Sequence, residues 1–433
     1  MDIARHYDEI VRCNRCGFCQ TACPIFRSTG HESGVARGRL ALLRALIEKR
    51  LSWDQELEGP LFDCLLCGAC TANCFAAVPT ADLLIEARAE YQEKVGRKAV
   101  HRLLFEHLLP YPQRLHRVAR AVALGKNSGL SQAARAIGLL RIFGRDLARA
   151  EEIVERFPRI PWRRQNPPGI YPGRGERLRI AYFVGCGVDI LQQSAARASL
   201  RRLRRMGTRV AILDNGCCGL PAWSYGDLRA ARRLAEKNLN LFAALNVDLI
   251  VTDCSSCASF LKKYPRLFAA GDPRRAAAEA AAARVRDILE LPDAPRPALK
   301  TAEKPLLRVT YHDPCHASRG QGLAAAPREQ LKNLPGIEYV ELPEADWCCG
   351  GAGSYAVSNY ELSRRVLDRK TANLARTGAD VVATACPACM IHLAYGIRKH
   401  GLNMQVRHIS ELVDQRGVAE RLYLSGQKLG QSG

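Results

Sequence analysis

The sequence predicts an α+β chain of several domains, a helical N-terminal module followed by a duplicated α/β domain, and three observations carry that prediction. Apolar spacing is helical through the first third and changes near residue 177 to short apolar runs alternating with helices, the strand, crossover helix, strand signature of a parallel sheet. The eighteen cysteines fall into four clusters of two kinds, each kind present twice. Equivalent cysteines of the second kind lie 129, 131 and 132 residues apart, a drift small enough for a repeated unit with minor loop changes. At 433 residues the chain has room for about three domains, each with its own core.

Residues 1–95 hold two copies of C-x2-C-x2-C-x3-C, at Cys13, Cys16, Cys19 and Cys23 and at Cys64, Cys67, Cys70 and Cys74. Between them Leu40, Leu43, Leu46 and Ile47 recur at helical spacing, which predicts an amphipathic helix over 35–49. Residues 96–176 stay helical and basic until Pro158, Pro161, Pro167, Pro168 and Pro172 mark a linker. The first α/β repeat spans 177–291, with strands predicted over 178–185, 209–214 and 247–253 and a helix over 227–245. The second spans 306–433, with strands over 308–311, 337–342 and 380–385, and a proline-rich stretch over 292–305 separates the two.

Three cysteines two residues apart can wrap one face of an iron-sulfur cubane, while the fourth is carried away by the chain. In two-cluster ferredoxins that fourth cysteine ligates the other cluster. The first module is therefore expected to be a two-cluster 4Fe-4S ferredoxin, one cluster on Cys13, Cys16, Cys19 and Cys74, the other on Cys64, Cys67, Cys70 and Cys23. Pro24 follows Cys23, but Phe75 stands where a second proline would follow Cys74.

Each α/β repeat carries a single Cys, a Cys-Cys-Gly and a C-x-x-C: Cys186, Cys217, Cys218, Cys254 and Cys257, then Cys315, Cys348, Cys349, Cys386 and Cys389. Every one falls at the end of a predicted strand or the start of a helix. That edge is where open α/β sheets bind ligands, and helix N-termini favour thiolates and anionic groups. Five thiols exceed the four a cubane or a tetrahedral zinc needs, so zinc with a spare thiol stays open on spacing alone. His312, His316 and His392 lie close to these cysteines; the plain expectation is loop and helix-face histidines, the alternative a hydrogen bond to a cluster sulfur or a proton donor.

The Cys, Cys-Cys-Gly, C-x-x-C pattern resembles the cysteine-rich domains of the heterodisulfide reductase family. The resemblance implies a non-cubane 4Fe-4S cluster on Cys186, Cys217, Cys218, Cys254 and Cys257, and another on Cys315, Cys348, Cys349, Cys386 and Cys389. The full order of modules resembles the iron-sulfur subunits of bacterial glycolate oxidase (glycolate dehydrogenase), with lactate and anaerobic glycerol-3-phosphate dehydrogenase subunits as relatives. Glycolate oxidase subunits often lack some of these ten cysteines, whereas both sets are complete here, as in the disulfide reductases.

That resemblance implies an iron-sulfur electron-transfer subunit of a flavin-dependent 2-hydroxyacid dehydrogenase, passing electrons from a flavoprotein towards a quinone or another carrier. The alternative is a heterodisulfide-reductase-like subunit that reduces a disulfide. A two-electron oxidation of an organic acid needs a hydride acceptor, and no dinucleotide fingerprint, P-loop or flavin motif was found. FAD is therefore expected on a partner, either a dehydrogenase subunit or an electron-transfer flavoprotein.

Net charge is +21, from 64 basic and 43 acidic residues, and residues 96–180 alone hold 18 Lys or Arg against 6 Asp or Glu. Such a surplus points to an anionic membrane face, a membrane subunit or an acidic protein, or else to a merely solvated helix face. Nucleic acid is disfavoured, since charge alone supports it. With no signal-like start and no run of about 18 apolar residues, a cytoplasmic protein is expected, able to sit peripherally on the cytoplasmic face of the membrane. A secreted disulfide scaffold is disfavoured, because such scaffolds are short and coreless and no export signal is read at the start.

Overall fold

The computed structural model describes residues 2–174, 178–292 and 307–414. The predicted proline-rich separator at 292–305 lies outside them except for residue 292. Strands occur only after residue 168 among the described residues, as the change in periodicity predicts.

The N-terminal module packs the helices Ala36–Ile47 and Thr80–Lys94 around Ile10, Leu40, Leu43, Leu61, Leu83 and Leu84. Leu40, Leu43 and Leu46 form the buried stripe that their spacing predicts. Arg88 on the second helix is buried, and its guanidinium donates to the carbonyls of Leu61 (2.7 Å), Cys64 (2.7 Å) and Ser224 (2.5 Å). One side chain thus ties the helix to the second cysteine motif and to the first α/β repeat.

The first repeat contains β1 (Gly169–Pro172), β2 (Leu178–Tyr182), β3 (Gly207–Ile212), β4 (Leu249–Thr252) and β5 (Val285–Asp287) in the order β1-β3-β2-β4-β5. Only β1 runs antiparallel. The second contains β6 (Leu307–Tyr311), β7 (Ile337–Tyr339), β8 (Val381–Thr384) and β9 (Gln405–His408) in the order β7-β6-β8-β9, all parallel. Dropping β1 makes the two orders the same. The duplication extends to single bonds: Asp248 N donates to Arg179 O (2.8 Å) as Asp380 N does to Arg308 O (2.9 Å). Residues such as Ile180, Ile250, Val251, Val382 and Ala383 are fully buried, as expected for parallel strands covered on both faces.

The proline-rich stretch at 158–172 differs from the expected linker. It carries the short helix Trp162–Gln165 and the edge strand β1. Trp162 is fully buried, and the buried Arg163 reaches Asp189 by its backbone N (2.8 Å) and Nε (3.0 Å). His116 of the helix Pro112–Asn127 meets the same carboxylate at 2.6 Å. The basic segment is therefore bolted to the first repeat, because Asp189 offers a buried charge that the Arg163 guanidinium and the His116 ring answer.

The repeats meet at the carboxyl ends of β4 and β8. Ser255 N donates to Ala385 O (3.0 Å), and His408 Nε2 lies 2.8 Å from Asp253 O. That contact turns the ligand-binding edges of the two sheets towards each other.

Candidate metal centres

In the N-terminal module both motifs bend their chain in the same way. Arg15 and Leu66 have φ of 53° and 51°, and Gly17 and Gly68, which follow the second cysteine of each motif, have φ of 88° and 73°. Left-handed residues on either side of a cysteine curl the chain round a common centre. Cys23, Cys64, Cys67 and Cys70 line one small cavity of about 20 Å³. Three of these come from the second motif and one is the fourth cysteine of the first. Cys13 and Cys74 pack together on the module's own core, and Cys13 is close enough to Cys19 to act on its thiol electrostatically. Cys16 is exposed. Phe75, in place of the second proline, packs edge-on against Phe18 at 4.9 Å.

In the repeats, Cys186 and Cys315 open the helices Cys186–Leu191 and Cys315–Gln321, and Cys254 and Cys386 are the N-cap residues of Ser255–Leu261 and Pro387–Lys399. The Cys-Cys pairs follow β3 and β7, and Gly219 and Gly350 turn the chain there with φ of 100° and 85°. A Cβ on Gly350 would stand 2.6 Å from Ser363 O, so this turn has room for glycine alone.

Within each repeat the five thiols lie in one close series, each near enough to act on its neighbour's proton: Cys186, Cys217, Cys218, Cys257, Cys254 in the first and Cys315, Cys348, Cys349, Cys389, Cys386 in the second. The two series touch through Cys254 and Cys386, and Ser256 Oγ lies 3.3 Å from Cys386 Sγ. The second also adjoins the ferredoxin module, where the Cys67 and Cys348 thiols act on each other's protons. All ten thiols line a single cavity of about 400 Å³, with Cys64 and Leu66 in its wall.

Hydrogen bonds among the thiols and burial push Cys186, Cys257, Cys348 and Cys389 well above the ordinary thiol range. Five crowded, buried thiols do not ionise together without a polycation between them, and all eighteen cysteines are unpaired. Gly185 also leaves room on the cavity side, since a Cβ there would lie 3.1 Å from Cys254 Cβ and 3.4 Å from Cys257 Sγ. The residues present thus fit iron-sulfur groups, which turn such thiols into thiolates.

His312 sits on the loop after β6, and His316 and His392 sit on the helices Cys315–Gln321 and Pro387–Lys399, as expected; all three line the same cavity. His316 Nδ1 is 2.9 Å from Ser256 Oγ, across the boundary between repeats. His392 Nε2 is 2.9 Å from Ser363 Oγ, which donates to Gly350 O (2.8 Å). His312 is 1% exposed. Their short sequence distances to Cys315 and Cys389 are the signal that could have placed them here.

A cavity walled by thiols from two equivalent sheets, joined to a two-motif ferredoxin module, defines an iron-sulfur protein of the dicluster and cysteine-rich domain class. Residues 9–78 match the 4Fe-4S dicluster domain, 180–262 and 309–394 the cysteine-rich domain, and 96–154 the linker region of the glycolate oxidase iron-sulfur subunit. A Bacillus subtilis protein described as a "probable glycolate oxidase iron-sulfur subunit" is 31% identical over 420 residues, covering 94% of this chain and 93% of the relative. The chain belongs to the glycolate oxidase iron-sulfur subunit family. It is also 29% identical over 247 residues to lactate utilization protein A of Geobacillus sp. strain WCH70, covering 55% of this chain and 100% of the relative. A fumarate reductase (CoM/CoB) polypeptide of Methanothermobacter marburgensis is 35% identical over 246 residues, covering 56% of this chain and 47% of that protein.

Proposed function

We propose that the chain is the electron-transfer subunit of a flavin-dependent 2-hydroxyacid dehydrogenase of glycolate or lactate type, relaying electrons from an FAD-bearing partner towards a quinone or another carrier. The observation that carries this reading is the unbroken series of thiol contacts from Cys67 through Cys348 to Cys386 and Cys254. Two cubane 4Fe-4S clusters on the eight ferredoxin cysteines and one further cluster on each five-cysteine set would then lie in sequence. Iron-sulfur groups placed there accept and release single electrons, while the protein holds them close and keeps the cavity largely apolar.

The basic segment supports a docking role. Arg114, Arg117, Arg120 and Arg135 are exposed beside Leu124, Leu130, Ile137 and Ile142, the last four 72%, 67%, 79% and 75% exposed. Cationic and apolar side chains mixed on one surface suit the face of an anionic membrane. No helix among the described residues is long and apolar enough to cross a membrane.

Anaerobic purification of the tagged chain from its host tests the main reading. An FAD-bearing dehydrogenase is expected to co-purify and, on adding its 2-hydroxyacid, to reduce the chain's clusters. Clusters that stay oxidised in that complex count against it. A second reading, reduction of a disulfide, is favoured by the cavity between the two five-thiol series. It predicts a spectroscopic change on adding thiols to the oxidised protein, abolished by Cys386→Ala, and no change rules against it.

A further inference from the structure

The two repeats superimpose in topology and hydrogen bonding, yet their cavity walls differ at three equivalent positions. His312 N donates to Ala383 O (2.9 Å) at the end of β6, and Phe183 N makes the same bond to Val251 O (2.8 Å) at the end of β2. His392 and Phe260 each lie one turn beyond the last cysteine of their set. Ser363 and Ala231 each present their carbonyl to the glycine after the Cys-Cys pair, Gly350 and Gly219 respectively. The first repeat thus places Phe183, Phe260 and Ala231 where the second places His312, His392 and Ser363.

The first set is satisfied by apolar packing; Phe183 meets Phe242 edge to face at 6.2 Å. The second set is polar and its hydrogen bonds do not close. Ser363 spends its hydroxyl proton on Gly350 O, so its oxygen accepts from His392 Nε2, which leaves His392 Nδ1 without a partner. His312 is buried, no hydrogen bond of good geometry reaches either ring nitrogen, and the group beside it is the Cys349 thiol. Buried imidazoles are normally satisfied, and one that is not points to a partner of another kind. Ligand atoms of His312, Cys349 and Cys389 all lie within 4.8 Å of one another. Donors about 2.0–2.3 Å from one metal sit about 3.5 Å apart around a tetrahedron, so small side-chain rotations bring these three onto one iron.

We infer that His312 is a nitrogen ligand to iron in the centre of the second repeat, beside Cys349 and Cys389, and that the two cysteine-rich centres are inequivalent for that reason. The inference rests on the reading that both repeats hold iron-sulfur clusters. Phenylalanine cannot ligate, so the first repeat has sulfur donors only. A histidine nitrogen in the ligand set changes the potential of an iron-sulfur centre, and the pair therefore acquires a direction. The inequivalent centre is the one whose Cys348 touches the ferredoxin module.

The test uses the cluster-loaded chain, prepared anaerobically with natural-abundance or nitrogen-15 histidine and poised so that the cysteine-rich centres are paramagnetic. Pulsed EPR is expected to show one directly bonded histidine nitrogen whose coupling follows the isotope. That coupling is lost in His312→Phe, with iron content unchanged, and kept in His392→Phe. Potentiometric titration of His312→Phe is expected to move the midpoint of one cysteine-rich centre only. The isotope comparison needs no variant, so it stands even if a substitution fails to fold. A fully loaded wild-type chain without strong histidine coupling, with weak hydrogen-bond coupling only, or with coupling that survives in His312→Phe overturns the assignment while leaving the cluster reading intact. Iron near eight atoms per chain, enough for the ferredoxin module alone, overturns both.

Discussion

Asp189 offers a direct measure of how firmly the basic segment holds the first cysteine-rich centre. Its carboxylate is 1% exposed, meets Arg163 at 3.0 Å and His116 at 2.6 Å, and lies on the helix that Cys186 opens. Burial opposes its charge, but the His116 hydrogen bond and the Arg163 guanidinium outweigh burial and hold its pKa below the usual carboxylate range. Removing the carboxylate leaves the buried Arg163 guanidinium unanswered and costs about 3–5 kcal/mol; Asp189→Asn keeps the shape and falls near 3. For a unit the size of one repeat that is a fall in Tm of about 10 °C. The sign with pH follows from the depressed pKa: the stabilisation is fully present above the unfolded value of about 3.9 and is lost as pH falls through the lower folded value. Thermal unfolding of the cluster-loaded protein at pH 7, by circular dichroism, reads the loss. A shift of less than about 3 °C, under 1 kcal/mol on the same scale, would refute the claim that this carboxylate anchors the segment.

Three further outcomes are expected. Gly350→Ala and Gly353→Ala both meet a left-handed backbone, worth about 1–2 kcal/mol, but the new Cβ meets the carbonyl of Ser363 at Gly350 and nothing within 4 Å at Gly353; iron analysis should show loss from the first variant and not from Gly353→Ala. Glu152 accepts from Tyr360 and Tyr395 and pairs with Lys399; burial raises its pKa, but these partners outweigh it and hold the value at about 2. Its hold on the second repeat should therefore persist at pH 4, and Glu152→Gln should speed tryptic cleavage near Arg149 and Arg156 under native conditions. Neutralising Arg114, Arg117 and Arg120 together should sharply reduce sedimentation with anionic vesicles, and unchanged sedimentation would remove the membrane from the list of docking surfaces.

Much of the architecture was legible because cysteine spacing and apolar periodicity are local signals. The crossing of Cys23 to Cys64, Cys67 and Cys70 follows from a fixed short spacing, and the strand ends bearing Cys186, Cys254, Cys315 and Cys386 follow from a change of period. The proline-rich stretch misled, because prolines mark an edge strand as readily as a linker. Trp162 and Arg163 make it structural through partners 26 and more residues away. The histidines were legible only as neighbours of cysteines. What makes them significant is comparison of positions 312 and 183 in space, which requires the registers of two sheets.

Spatial order is the part that no local signal carries. The first repeat follows the ferredoxin module more closely in the chain, yet it is Cys348 of the second that touches Cys67. Arg319 of the second repeat reaches Cys67 O (3.4 Å), and Tyr355 and Asn359 reach Asp63 at 3.0 and 2.8 Å. The basic segment accounts for this arrangement. It is fastened to the first repeat at Asp189 and to the second at Tyr360 and Tyr395, and its Ala150, Ile153 and Val154 line the cavity between them, so it bridges the pair. A duplicated domain placed this way need not keep two identical cysteine sets, because it is a thiol of the second that lies against Cys67. The replacement of Phe183, Phe260 and Ala231 by His312, His392 and Ser363 falls in that repeat, where, on the proposed electron path, a change in potential would act on electrons crossing between the module and the cavity.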